Sequence, residues 1–133
     1  MRFVLDASIT ITWAMRDEDH PLADLAFLEI KSGSAVVPGI WWYEIRNVLV
    51  LNERRKRITP DDSNQFLAAL EQLSINVDAH RSGTQVIDLS RMYKLSVYDA
   101  AYLALAKNER LPLATLDKDL RNAALAAGVP LLA

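Results

Sequence analysis

The sequence predicts an α/β fold, a mainly parallel sheet with helices on both faces, and three observations carry that expectation. Short continuous apolar runs such as "RFVL" and "AVVP" stop abruptly, as strands buried on both faces do. Longer segments between them repeat their apolar residues at helical spacing and open on Pro, Thr or Ser. The two kinds of segment alternate, and the intervening lengths suit crossovers between parallel strands.

Taken in order, "RFVL" is a strand that ends at Asp6. "PLADLAFLEIKSG" is a helix, with Pro21 at its start, apolar positions at Leu22, Leu25, Phe27 and Leu28, and Gly33 as a stop. Ala35 to Pro38 forms the second strand, and a long helix from about Ile40 to Arg57 ends in cations. "TPDDSNQFLAALEQL" begins the next helix, with Thr59 as N-cap and Pro60 at the first position. Ile75 to Asp78 is a third strand, followed by helices in "GTQVIDLSRMY" and "SVYDAAYLALAKNER". "LPLAT" is a strand, "DKDLRNAALAAG" a helix with a Gly stop, and "VPLLA" a last short strand. No repeat, low-complexity stretch or linker interrupts the pattern, so residues 1–133 are expected to form one domain.

The totals narrow the chemistry. A hydrophobic content of 51% over 133 residues is enough for one substantial core. The chain has no cysteine, which excludes disulfides, thiolate metal sites and a cysteine nucleophile. A net charge of −2 excludes a grossly basic nucleic-acid coat, so a polyanion must be met by a local patch. No run approaches a membrane span and "MRFVLD" lacks the succession of a signal peptide, so a soluble, cytoplasmic protein is expected.

Four acids stand in apolar company. Asp6 and Asp117 each follow a strand, which in a parallel sheet puts both at the carboxyl edge where open α/β folds place ligands. Either is equally well explained as the cap of a helix beginning just after it. Glu44 shares a helical stripe with Trp41, Val48 and Leu51, where a carboxylate needs a compensating partner; a salt bridge to an arginine such as Arg46 is the plain alternative. Asp99 falls in Ser96-Val-Tyr-Asp99, which matches a capping box. Capping explains one acid in a first turn, whereas convergence on a single point explains all four. A divalent cation would relieve the repulsion between them, and all-oxygen ligation favours Mg²⁺ or Mn²⁺ over zinc. His20 and His80 are isolated and read as solvated loop residues.

"VLDAS", "WWYEIRNVL", "LSVYDAAYLALA" and "LATLDKDL" together resemble, in order and spacing, the four acidic motifs of PIN-domain nucleases. The likeness spans nearly the whole chain, and it is most similar to the VapC-type toxins of toxin–antitoxin pairs. It implies a PIN-like three-layer sandwich, a single nuclease domain, and Mg²⁺-dependent hydrolysis of RNA phosphodiester bonds, with Mn²⁺ able to substitute. By resemblance, Asp6, Glu44, Asp99 and Asp117 take the metal-binding acidic positions, with Asp6 and Asp99 most directly on the ion. Ser8 and Thr115 match small hydroxyl positions that position a metal-bound water or phosphate oxygen, or else make local turn bonds. Asp119 adds a fifth acid, read as a solvated first-turn residue. The resemblance further implies a homodimer and a cognate antitoxin whose C-terminal segment lies in a groove near the acids.

Arg54, Arg55, Lys56 and Arg57 supply the local cationic patch that the net charge lacks, and Arg46 lies close to Glu44 in sequence. RNA contact is one reading of these residues. Solvated helix-end cations, with a surface ion pair for Arg46, are the other. Trp41 and Trp42 are adjacent and cannot both face one core, so one is expected inside and the other free for an interface, with core packing of both as the alternative if the helix is covered on two sides. Three rivals remain at this level: a catalytically silent interaction module, a metal-dependent phosphatase, and a phospho-acceptor receiver domain. The last lacks the lysine it needs at a late strand end, where Asp117 stands and Lys118 faces elsewhere.

Overall fold

The computed structural model describes residues 1–15, 17–79 and 83–133. Among these residues the strands are β1 (Arg2–Leu5), β2 (Ser34–Pro38), β3 (Ile75–Asp78) and β4 (Leu113–Ala114). The helices are α1 (Ala7–Ala14), α2 (Pro21–Ser32), α3 (Gly39–Arg54), α4 (Pro60–Glu71), α5 (Gln85–Tyr93), α6 (Val97–Glu109) and α7 (Lys118–Ala126). The strands pair in the order β3-β2-β1-β4, all parallel. The expected α/β sandwich is therefore the observed one.

Strand order and handedness explain the three layers. The steps from β1 to β2 and from β2 to β3 run in one direction, and the step from β3 to β4 runs back past both. Right-handed crossovers then send α1–α4 to one face and α5–α6 to the other. The contacts follow this division: α1 packs on α2 and α3, α3 on α4, α5 on α6, and α6 on α7. The reversal lies between β1 and β4, so the carboxyl ends of these two strands flank the switch point.

Burial centres on β1, where Phe3, Val4 and Leu5 are fully enclosed, and on α6, where Tyr102 and Leu103 are equally inaccessible. Thr59 caps α4 in a complete capping box with Asp62, and Pro60 is its first residue. Where sheet and helix must approach closely, small residues do the packing. The buried face of α2 is Ala23, Ala26 and Ile30 rather than the expected leucine stripe, and Leu28 is 64% exposed. Phe27 instead packs edge-on to Trp13, with ring centroids 5.3 Å apart.

Three boundaries also differ from expectation. Helix α1 is the helix that the capping reading of Asp6 allowed but that the order of elements left out, and its Ile9-Thr10-Ile11-Thr12 run is β-branched, which disfavours a helix. It forms because Asp6 caps it and because the Thr10 and Thr12 hydroxyls donate back to the carbonyls of Asp6 and Ser8. Helix α3 ends at Arg54, and Lys56 takes a positive φ of 59°, so the last three cations lie beyond the helix. "VPLLA" makes only one bridge, Leu131 to Leu113, because β4 itself has just two residues to offer.

Gly33 permits β2 to start beside the chain terminus. A Cβ there would collide with the Met1 carbonyl oxygen and lie 2.8 Å from the Met1 nitrogen, next to the bond from Ser34 N–H to Met1 O. Gly33→Ala is expected to push Met1 out of register and lower stability by about 1–3 kcal/mol, read from the urea midpoint.

Candidate active site

Each of the four acids is placed by a different local device. Asp6 follows β1 and caps α1. Its Oδ1 accepts from Ala7 N–H at 2.8 Å, and its Oδ2 accepts from the Ser8 hydroxyl at 2.7 Å and the Thr115 hydroxyl at 2.6 Å. Asp117 follows β4 and caps α7, accepting from Leu120 N–H at 2.9 Å. Asp99 lies in the first turn of α6, where its N–H donates to Ser96 Oγ at 3.0 Å. Glu44, on α3, accepts from the Tyr102 hydroxyl at 2.7 Å.

The capping readings of Asp6 and Asp117 thus hold, and they do not compete with convergence. The bonds that cap α1 and α7 also fix the carboxylates at the switch point. At Asp99 only half of the capping box forms, since its carboxylate makes no return bond to the Ser96 backbone.

The acids sense one another. Burial raises the Asp6 pKa, its three hydrogen bonds offset part of that, and the Asp117 charge raises it further. Glu44 is raised by desolvation, relieved by the Tyr102 hydroxyl, and raised again by Asp6 and Asp99. Desolvation also raises Asp99, with Asp117 and Asp6 adding to it, the Ser96 side chain offsetting part, and Asp119 acting from the first turn of α7. No Lys or Arg forms an ion pair with any of the four among the described residues.

The alternative reading of Glu44, a salt bridge to Arg46, does not form; a tyrosine hydroxyl partners the carboxylate instead. The reason is rotational: the buried line of α3 runs through Trp41, Ile45, Leu49 and Asn52, which leaves Glu44, Val48 and Leu51 on its border. Arg46 turns the other way, donates to the Trp42 carbonyl at 3.1 Å, and stacks 3.5 Å from the Trp42 ring centroid. Trp41 and Trp42 divide as expected. Trp41 is buried with its indole N–H on Thr10 Oγ1 at 3.0 Å, whereas Trp42 is 44% exposed.

Ser8 and Thr115 have their hydroxyl protons on Asp6 and accept the N–H groups of Leu116 and Asp117 in turn. This network ties the end of β1 to the end of β4. Arg57 is not free. It holds Asp17 with both carboxylate oxygens at 2.9 Å, Glu18 at 3.4 Å and Asn52 at 2.9 Å. Arg54, Arg55 and Lys56 are exposed and form no ion pair among the described residues. His20 is exposed, as expected, and its Nδ1 accepts from Leu22 N–H to cap α2; His80 lies outside the described residues.

Tyr102 is the site residue that sequence reasoning missed. The available signal was a phenol on an otherwise apolar helix, because a buried tyrosine hydroxyl must find a partner.

The donor set has the chemistry of a hard-cation site: oxygen only and ionisable, with Asp6, Glu44 and Asp99 raised in pKa by burial and by neighbouring carboxylates, and with no ion pair to a Lys or Arg among the described residues. It is not a closed cage, because no three Asp, Glu or His side chains among the described residues are drawn together tightly enough to hold an ion. Clefts of about 620 and 520 Å³ lie elsewhere, the first beside Arg57 and Asp17, the second beside Tyr43 and Tyr98.

Comparisons with known proteins fit this geometry. No curated protein sequence matches the chain significantly. Solved structures do share the fold. PAE2754 from Pyrobaculum aerophilum superposes with a TM-score of 0.73 at 22% identity, covering 92% of this chain and 84% of the other. A toxin–antitoxin complex from Klebsiella pneumoniae gives 0.61 at 23% identity, with 88% of each chain covered. VapC20 of Mycobacterium tuberculosis, a sarcin-ricin loop cleaving toxin, gives 0.63 at 15% identity over 99% and 98% of the two chains. The sequence model for the PIN domain matches residues 3–125, which takes in all four acids and displaces the receiver-domain reading. The chain therefore belongs to the PIN domain family.

Proposed function

We propose that this protein is a Mg²⁺- or Mn²⁺-dependent endoribonuclease, the VapC-type toxin of a type II toxin–antitoxin pair, acting in the cytoplasm as a single-domain chain that dimerises. The observation that carries this reading is that Asp6, Glu44, Asp99 and Asp117 stand within electrostatic reach of one another beside the switch point, with no ion pair to a Lys or Arg among the described residues. The toxin role and the antitoxin partner are supported by the toxin–antitoxin complex and the RNA-cleaving toxin among the fold's neighbours. No helix among the described residues is long and apolar enough to cross a membrane, which agrees with an RNA substrate met in solution.

The four acids are the residues that would hold the ion, and a bound divalent cation would offset phosphate charge and acidify water. The protein's own share is orientation. Asp6 is held by three hydrogen bonds before any substrate arrives, and Asp117 by its cap, so neither needs to reorganise. Within the cationic cluster, Arg54, Arg55 and Lys56 form no ion pair among the described residues and are the ones left for RNA. Arg54 lies ten residues beyond Glu44 on α3, about 15 Å along the axis, so these residues would meet RNA flanking the scissile bond. Arg46, stacked on exposed Trp42, offers a flat cationic surface on the side of α3 away from Glu44.

The caps made by Asp6 and Asp117 favour one second reading, a catalytically silent interaction module. Incubating the purified protein with a small-RNA pool separates the two. Discrete fragments are expected with Mg²⁺ or Mn²⁺ and none with EDTA. A folded protein that leaves RNA intact under every condition would establish the silent module, and phosphate release from small monoesters alone would establish a phosphatase.

A further inference from the structure

Tyr102 stands where three of the acidic motifs meet. It is fully buried on α6, three residues after Asp99. Its hydroxyl donates to Glu44 Oε1 at 2.7 Å, across 58 residues of sequence. The Ala7 backbone N–H, which donates to Asp6 Oδ1, also faces the phenol oxygen. One hydroxyl thus touches α3 and the start of α1 from within α6.

The physical need is specific to Glu44. Asp6 and Asp117 are held by bonds from their own helix starts, but Glu44 sits in the second turn of α3, where no free backbone N–H is available to hold it. Its side chain has three torsions, and Asp6 and Asp99 repel it. A charge-assisted bond from a rigid buried phenol opposes that repulsion and occupies one carboxylate oxygen, leaving Oε2 with no hydrogen bond among the described residues.

We infer that Tyr102 is a positioning residue, which holds the Glu44 carboxylate at the acid cluster and thereby sets the protein's affinity for a divalent cation. The inference rests on the metal-site reading above. Residues that orient a metal ligand through a hydrogen bond typically change metal affinity by about 10- to 100-fold when removed.

Mn²⁺ binding by calorimetry to the full chain tests it without reference to RNA cleavage. Tyr102→Phe removes the hydroxyl and keeps the ring, and it should weaken Mn²⁺ binding about tenfold or more. In a Glu44→Gln background the same change should alter affinity by less than about twofold, because the group through which Tyr102 acts is already gone. Equal weakening in both backgrounds, or Tyr102→Phe binding as tightly as wild type or tighter, would overturn the inference. Wild-type protein that binds no Mn²⁺ would overturn the metal-site reading and this inference with it, whereas tight wild-type binding with an unaffected Phe variant would overturn the inference alone. Should Tyr102→Phe fail to fold, Glu44→Asp substitutes for it: the charge is kept but the carboxylate is drawn back from the phenol. That variant should lose affinity by a similar factor, and wild-type affinity would again overturn the inference.

Discussion

Asp99→Asn is expected to abolish metal-dependent RNA cleavage, by on the order of 10²- to 10³-fold or more, while raising the melting temperature of the metal-free protein. Both effects have one cause. Asp99 is half-buried and faces the charges of Asp117 and Asp6, so its ionised form costs the apo fold free energy that the amide does not. The N–H bond to Ser96 Oγ that starts α6 is a backbone bond and survives the substitution. A gain of about 2–5 °C by calorimetry is the expected size for relieving one such repulsion in a domain of this length. The pH dependence has a definite sign. Because the folded pKa of Asp99 is raised, its stabilising contribution is complete below the unfolded value and is lost as pH rises through the folded one. Wild type should therefore lose more apo stability than the variant over that window, and saturating Mg²⁺ should stabilise wild type only. A variant that melts lower than wild type at neutral pH would show that the carboxylate serves the fold.

Phe3→Ala should be the most damaging single truncation in the sheet, at about 3–5 kcal/mol in urea unfolding. Phe3 has no exposure, and its strand lies between β2 and β4, so the cavity cannot be filled from an edge. Set against a total stability of about 5–15 kcal/mol, that loss brings the domain close to its unfolding threshold. The damage should reach the site as well. Asp6 leaves β1 three residues later, and its place opposite Thr115 depends on the register of β1 with β4. A cost below about 1 kcal/mol would mean that the core is not centred on β1.

How much of this was legible in the chain depended on the range of the interactions involved. The caps at Thr59 and Ser96 and the strand ends at Asp6 and Asp117 were readable because capping and strand termination are settled within a few residues. The alternation of apolar runs with helical segments was enough to predict the class of fold, and the order of the four acids carried the family. Rotation and partnership were not readable. Whether α2 buries its leucines or its alanines depends on how closely the sheet lets it approach. Whether "ASITITWA" is a helix depends on a cap and back-bonds that outweigh β-branched propensity.

The longest-range features were decided by the tertiary structure alone. Glu44 takes Tyr102 rather than Arg46, and Arg57 takes Asp17 and Glu18 rather than solvent, across 58, 40 and 39 residues respectively. What the sequence by itself determined is which acids stand at the ends of which elements, because local sterics and hydrogen bonding choose those ends. That these acids face one another was decided by strand order and the hand of the crossovers, since a parallel sheet puts Asp6 and Asp117 at one edge but only the pairing of β4 with β1 makes them neighbours there.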